Sequence, residues 1–197
     1  MSAIVDARWV KAPDGTRLEL VRRLRQPIDR VWAALTTPAR LAAWMGVEWL
    51  GGDGPLKIGD AFDYRFANTD MESRGRVLSF DPPRMFEHSW FENIPPAAVV
   101  RWSLAPDGEG CILTLTQYAG PPEDGPRTAA GWTMLLDSIN APSRRIRTHL
   151  KRSFRWVWYW RGKASSKRRG QRWPPQRLST LARRARLPKH GPGERWQ

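Results

Sequence analysis

The pattern of apolar positions predicts two short helices in tandem between Pro27 and Met45. Apolar residues recur at i, i+3, i+4 and i+7 in the first helix and at i, i+3 and i+4 in the second. These residues are Ile28, Val31, Trp32 and Leu35, followed by Leu41, Trp44 and Met45. Thr37 can cap the second helix and Pro38 can open it. Helices of this length are not stable alone in water, so they require a sheet to pack against.

Alternating apolar and polar residues predict the strands of that sheet. Before the helices, strands are predicted at 4–10 and 17–25, and in the latter Leu18, Leu20 and Leu24 point the same way. After the helices, strands are predicted at 46–50, 61–66, 73–80, 84–91, 97–104 and 111–118. The last four follow one another at roughly ten-residue spacing with short turns between them, which favours an antiparallel meander.

A longer helix is predicted after the last strand, over residues 127–140. Its apolar residues, Trp132, Leu135, Leu136 and Ile139, again fall at i, i+3, i+4 and i+7. Pro142 stops this helix. The order of elements therefore predicts an α+β domain over residues 1–141, with a tail over residues 142–197.

Charge is distributed very unevenly between these two parts. Residues 1–140 contain 15 Lys and Arg and 18 Asp and Glu, whereas residues 141–197 contain 18 Lys and Arg and a single acid, Glu194. The whole-chain net charge of +14 is therefore the sum of +17 in the tail and −3 in residues 1–140. An interaction with nucleic acid or an anionic membrane is expected only from the tail, not from the domain.

Several classes of protein are disfavoured by composition. Cys111 is the single cysteine, so neither an intrachain disulfide nor a cysteine-ligated metal site is expected. The N-terminal residues lack the basic and apolar regions of a signal peptide, and the chain lacks a run of about 18 apolar residues that would span a membrane. A soluble cytoplasmic protein that requires no cofactor is the expectation.

The chain resembles the SRPBCC (START/Bet v 1-like) superfamily, and within it the branch named after the C-terminal domain of the activator of heat-shock-protein-90 ATPase. The resemblance rests on residues 22–38, RRLRQPIDRVWAALTTP, and on the second-helix motif at 41–45. Later landmarks are Gly-Arg-Val at 75–77, Asp-Pro-Pro-Arg at 81–84 and the helix motif at 131–137. Their order and spacing over residues 3–140 carry the resemblance.

The resemblance implies a helix-grip fold. In this fold a curved antiparallel sheet wraps a C-terminal helix, and two short helices follow the first long strand. It implies an apolar cavity between sheet and helix that binds lipids, polyketides or other hydrophobic small molecules. Some members of the superfamily are enzymes and some regulate chaperones, so a chaperone ATPase co-regulator is the alternative hypothesis. A monomer or weak homodimer is expected.

The predicted ligand-binding residues are aromatic side chains on the inner faces of the strands and helices. They are Trp44, Phe62, Tyr64, Phe66, His88, Trp90, Trp102, Trp132 and Leu136. Pocket walls are usually apolar and aromatic, but the same side chains could equally fill the interior. Tyr64 could offer its hydroxyl to a ligand or be an ordinary core residue.

No catalytic constellation is found, although His88 could act as an acid or base in an apolar cavity. The other interpretation is a core histidine with a backbone partner. His149 and His190 lie in the tail, so a zinc site in the domain is not expected. An enzyme is therefore the less favoured hypothesis.

Three interpretations of the tail remain open. It could bind nucleic acid or an anionic membrane through interleaved cations and aromatics. The residues concerned are Arg155, Trp156, Trp158, Trp160, Lys167, Arg168 and Arg169. It could be a disordered segment without a specific function. It could also be translated out of frame after a frameshift near residues 137–141, because the charge balance and composition change abruptly there.

Overall fold

The computed structural model describes residues 3–12, 15–67, 69–93, 97–118 and 125–139. The tail at 142–197, with all of its predicted nucleic-acid or membrane contacts, lies outside the described residues. Nine strands and three helices are described within these ranges. They are β1 (Ala3–Ala12), β2 (Gly15–Leu24), α1 (Ile28–Thr36), α2 (Pro38–Met45), β3 (Val47–Trp49), β4 (Tyr64–Phe66), β5 (Glu72–Ser73), β6 (Val77–Asp81), β7 (Met85–Trp90), β8 (Ala98–Asp107), β9 (Gly110–Tyr118) and α3 (Gly125–Ser138).

The predicted α+β helix-grip fold is confirmed. Six antiparallel strands form the large sheet in the order β1-β2-β9-β8-β7-β6, and the predicted meander corresponds to four of them, β6 to β9. Helix α3 contacts β2 and α2, and α1 contacts β8. Residues Leu18, Leu20 and Leu24 of β2 are buried, as their alternation predicts.

The two short helices are confirmed, but the predicted cap is wrong in one respect. Thr37 makes no side-chain capping hydrogen bond. Its backbone N–H donates to the Ala33 carbonyl at the end of α1, and its own carbonyl accepts from Leu41 N–H at the start of α2. Pro38 takes the first turn of α2, where a missing N–H is tolerated. Gly46 ends α2 with φ of 66°, in the left-handed region that glycine favours.

The strand predicted at 73–80 is wrong, because it is two strands in two sheets. Strand β5 pairs with β4 in a separate sheet of order β3-β4-β5, whereas β6 pairs with β7 in the large sheet. Gly75 lies at the break and packs against the backbone of β7. A Cβ atom there would lie 2.2 Å from the Ser89 carbonyl oxygen. The chain crosses between the sheets where only glycine fits.

Two other strand boundaries differ from the predictions by three residues. The strand predicted at 61–66 is reduced to Tyr64–Phe66, with a single bridge between Ala61 and Arg76 before it. The connection between the strands predicted at 97–104 and 111–118 is shorter than those bounds imply, because the β8 and β9 pairing extends to Asp107 and Gly110. Gly108 has φ of 60°, which a tight two-residue hairpin requires.

Candidate functional site

Eight ring-bearing side chains on the inner faces of the two sheets and α3 contact one another, and we call them the aromatic cluster. Each is at most 5% exposed. They are Phe62, Tyr64, Phe66, Phe86, His88, Trp90, Trp102 and Trp132. Seven of them were predicted from the sequence as candidate ligand-binding residues, and the structure adds Phe86. The predicted residues Trp44 and Leu136 are also buried, and Trp44 meets Trp102 edge-to-face at 6.0 Å between ring centroids.

Strand periodicity places these rings together. On β7, Phe86, His88 and Trp90 alternate toward the interior. Trp102 on β8 pairs with Phe86 in register. Trp132 comes from α3 and packs against Trp90 and Trp102, with ring centroids 4.7 Å and 5.5 Å away. The large sheet and the C-terminal helix therefore contact each other through the side chains of these three tryptophans.

The small sheet supplies the other side of the cluster. Phe62, just before β4, stacks on His88 with ring centroids 3.9 Å apart. Tyr64 lies 5.5 Å from Trp90 and 5.2 Å from Phe66, measured between ring centroids. Offset and edge-to-face contacts of this kind add to the stabilisation from burial. The cluster thus joins both sheets and α3.

Both ring nitrogens of His88 have partners. Trp102 Nε1–H donates to His88 Nε2 over 3.1 Å, so Nδ1 carries the proton that is donated to the Ser89 carbonyl oxygen over 3.0 Å. Burial lowers the pKa of His88 from 6.5 to about 3, although the Ser89 contact raises it in part. This geometry matches the core histidine with a backbone partner and leaves no ring nitrogen free for acid or base catalysis.

The indole N–H groups of the two helix tryptophans are also paired. Trp132 donates to the side-chain oxygen of Gln117 over 2.6 Å, and Trp44 donates to the Ala34 carbonyl over 2.9 Å. Gln117 is a residue that sequence reasoning missed. Its odd position on β9, shared with the buried Leu113 and Leu115, indicates that it faces inward.

Tyr64 is the exception in this network. Its side chain is fully buried, and no hydrogen-bond partner for its hydroxyl is found in the part of the chain that the structure describes. Burial raises the pKa of Tyr64 well above 10.0, and the neighbouring Ser73 side chain lowers it in part. The phenol is therefore neutral and keeps a proton to donate at any physiological pH.

Phe91 lies at the edge of the cluster, directly after β7. It is half-buried, stacks on Phe66 with ring centroids 6.1 Å apart and meets Trp90 edge-to-face. Its φ of 55° is uncommon for a residue with a side chain. Its N–H donates to the Ser73 hydroxyl over 3.3 Å. Strained backbone of this kind is enriched at functional sites.

Arg22 is a buried polar residue that was not among the predicted site residues. It is 2% exposed and shares the inner face of β2 with the leucines. One of its terminal nitrogens donates to the Thr133 carbonyl and to the Asp137 carboxylate of α3, each over 3.1 Å. Alternation along β2 already indicates that Arg22 faces inward, since it lies between Leu20 and Leu24. This contact attaches α3 to the sheet.

The outer face of the large sheet carries a different buried pair. Arg101 donates to the Glu87 carboxylate over 2.7 Å across β7 and β8. Burial raises the pKa of Glu87, and the Arg101 charge lowers it in part. The pair lies on the opposite face from the aromatic cluster and belongs to the sheet rather than to the candidate site.

No group of three or more His, Cys, Asp or Glu side chains able to hold a metal ion is found among the described residues. Within those residues, none of the helices is long and apolar enough to cross a membrane. Cys111 is buried as a free thiol.

The chain is similar to one protein family and to several solved structures. The family model described as "Activator of Hsp90 ATPase homolog 1-like protein" matches residues 25–142. No curated protein sequence matches the chain.

Several solved structures have the same fold. CalU16 from Micromonospora echinospora is 23% identical, with a TM-score of 0.53 over 82% of this chain and 99% of that one. DynU16, a protein in the dynemicin biosynthetic locus, is 24% identical, with a TM-score of 0.54 over 67% of this chain and 47% of that one. MLL2253 from Mesorhizobium loti is 21% identical, with a TM-score of 0.54 over 62% of this chain and 93% of that one. At these identities the similarity concerns the fold.

Proposed function

Because the chain belongs to the Activator of Hsp90 ATPase homolog 1-like family and has its helix-grip fold, we propose that the domain binds a hydrophobic, aromatic small molecule at the aromatic cluster. The observation that carries this proposal is the meeting of Trp90, Trp102 and Trp132 between the sheet and α3. Aromatic and apolar side chains with a few placed polar groups are typical of small-molecule sites.

The physical basis of the proposal is an exchange of ring contacts. Trp132 from α3 is in contact with the tryptophans of the sheet, so a planar ligand binds by replacing ring–ring contacts with ring–ligand contacts. Such an exchange keeps the apolar area buried. The helix that carries Trp132 is attached to β2 through Arg22, so we expect the helix to stay in place when the tryptophan side chain moves to admit a ligand.

The structural neighbours add weaker support. DynU16 is described as a protein in the dynemicin biosynthetic locus, and it shares this fold at 24% identity. A protein of this fold in a biosynthetic locus agrees with a role in handling small organic molecules. The aromatic character of the cluster in this chain is what selects an aromatic ligand.

A titration of intrinsic tryptophan fluorescence with isopropylnaphthalene tests this proposal. We expect saturable quenching of the wild-type protein, and about tenfold weaker binding for Trp132→Leu, because the substitution removes one stacking partner. The matched control is Trp32→Leu, since Trp32 contacts Phe80 outside the cluster. We expect the control to bind as the wild type does. Quenching that does not saturate, or equal loss of binding in both variants, would refute the proposal.

The alternative, a chaperone ATPase co-regulator, takes its support from the description of the family. Such a protein would act through its surface rather than through buried rings. The two functions therefore differ in their response to Trp132→Leu, which would leave a surface interaction intact.

A further inference from the structure

We propose that the Tyr64 hydroxyl is the hydrogen-bond donor that recognises a neutral oxygen atom, a carbonyl or a hydroxyl, on the aromatic ligand. This inference rests on the proposed function and makes it more specific. It assigns to the cluster a single polar contact and a ligand class, an oxygenated aromatic compound without charge.

The position of Tyr64 suits this role. It lies on the central strand of the small sheet, paired with Trp49 of β3 on one side and Ser73 of β5 on the other. Its side chain is fully buried, and the rings of Phe62, Phe66 and Trp90 surround it. A polar atom held by rigid strands inside an apolar cluster gives a ligand one fixed point of recognition.

The hydroxyl is unpaired where polar groups are normally paired. Of the polar side chains in the cluster, His88, Trp102 and Trp132 all have hydrogen-bond partners. No acceptor for the Tyr64 O–H is found among the described residues. The cross-strand Ser73 hydroxyl accepts from the N–H of Phe91 and keeps its own O–H as a donor toward the Tyr64 oxygen, so it does not take up the Tyr64 proton. A buried donor without a partner is costly, so a ligand oxygen placed there recovers that cost on binding.

The surroundings select against a charged ligand. The side chains whose rings contact Tyr64 are Phe62, Phe66 and Trp90, none of which can stabilise an ionised group. A carboxylate transferred from water to this position would lose far more hydration than one neutral donor restores. A neutral ketone or alcohol loses less and gains the phenol hydrogen bond.

Two nearly isosteric probes separate the hydrogen bond from ring stacking. Acetonaphthone carries a carbonyl oxygen, and isopropylnaphthalene carries a methyl group in its place. We expect the wild-type protein to bind the ketone about five- to tenfold more tightly, the ratio that one neutral hydrogen bond gives. We expect Tyr64→Phe to remove this preference by weakening ketone binding alone. Unchanged affinity of Tyr64→Phe for the hydrocarbon also shows that the cluster remains folded.

The matched control is Tyr118→Phe. Tyr118 lies on the outer face of β9, where its ring lies under Arg101, so loss of its hydroxyl should leave both affinities unchanged. Equal binding of the two probes by the wild type, or a ketone preference that survives in Tyr64→Phe, would overturn this inference while the proposed function stands. Failure of the wild type to bind either probe would overturn both.

Discussion

At the scale of single residues, the ring nitrogens of His88, Trp102 and Trp132 in the aromatic cluster are held by hydrogen bonds. His88 shows what this pairing does to a titratable group. Trp102 and the Ser89 carbonyl hold it as one neutral tautomer, and burial brings its pKa to about 3. A histidine in this state packs as a flat ring with two fixed hydrogen bonds and cannot exchange protons near neutral pH.

The lowered pKa of His88 predicts that the free energy of unfolding decreases in acid. The unfolded chain binds a proton at this residue near pH 6.5, whereas the folded domain does so only near pH 3. The unfolded state therefore binds more protons between these values, and stability falls as the pH is lowered through that window. At pH 5 the loss from His88 is about 2 kcal/mol.

His88→Gln tests this prediction, because its amide oxygen can still accept from Trp102 but does not titrate. Chemical denaturation at pH 7 and pH 5 gives the free energy of unfolding of both proteins. We expect the decrease between the two pH values to be about 2 kcal/mol smaller in the variant. Equal decreases would show that His88 ionises in the folded domain as it does in the unfolded chain.

At the scale of elements, sequence periodicity anticipated the helices and the large sheet, but not the way in which the chain moves between sheets. The tandem helices, the meander and the inner face of β2 follow from spacings of 3.6 and 2 residues. The same alternation predicts that His88 and Trp90 share the inner face of β7. What separates β5 from β6 is the close approach of Gly75 to the Ser89 carbonyl of β7, which the local pattern of apolar residues does not report.

Hydrogen bonds between side chains of different strands and helices likewise could not be predicted from the local sequence pattern. The hydrogen bond from Trp102 to His88 depends on the register of β7 against β8, in which His88 is opposite Val100 and Trp102 is its diagonal neighbour. The lack of an acceptor for the Tyr64 hydroxyl follows from the positions of all the side chains that pack around it. Sequence therefore predicted an inward-facing position for seven of the eight rings of the aromatic cluster, whereas their hydrogen bonds follow only from the assembled fold.

The glycine at the crossing between sheets predicts a localised loss of stability. Gly75→Ala places a methyl group 2.2 Å from the Ser89 carbonyl oxygen, so the strands must move apart. We expect a loss of about 1–3 kcal/mol in the free energy of unfolding, measured by urea denaturation. The control is Gly52→Ala, because no heavy atom lies within 4 Å of a Cβ there. We expect the control to change stability by less than about 0.5 kcal/mol, and similar losses at both sites would contradict this explanation.

At the scale of the whole molecule, the aromatic cluster is where the two sheets and α3 meet. The small sheet contributes Tyr64 and Phe66, the large sheet contributes the β7 and β8 rings, and α3 contributes Trp132. Arg22 attaches α3 to the sheet beside it. A ligand held at the cluster would contact all three parts of the domain, and we expect it to stabilise them together.

Native mass spectrometry tests the central claim most directly, because it detects a ligand bound to the intact protein. The wild-type protein, mixed with acetonaphthone, should give a one-to-one complex, and Trp132→Leu should give markedly less of it than Trp32→Leu does. Organic extraction of the protein as purified should also release an aromatic compound if one is retained from the host. A wild-type protein that forms no complex with acetonaphthone, or that forms it equally well in both variants, would contradict binding at the aromatic cluster.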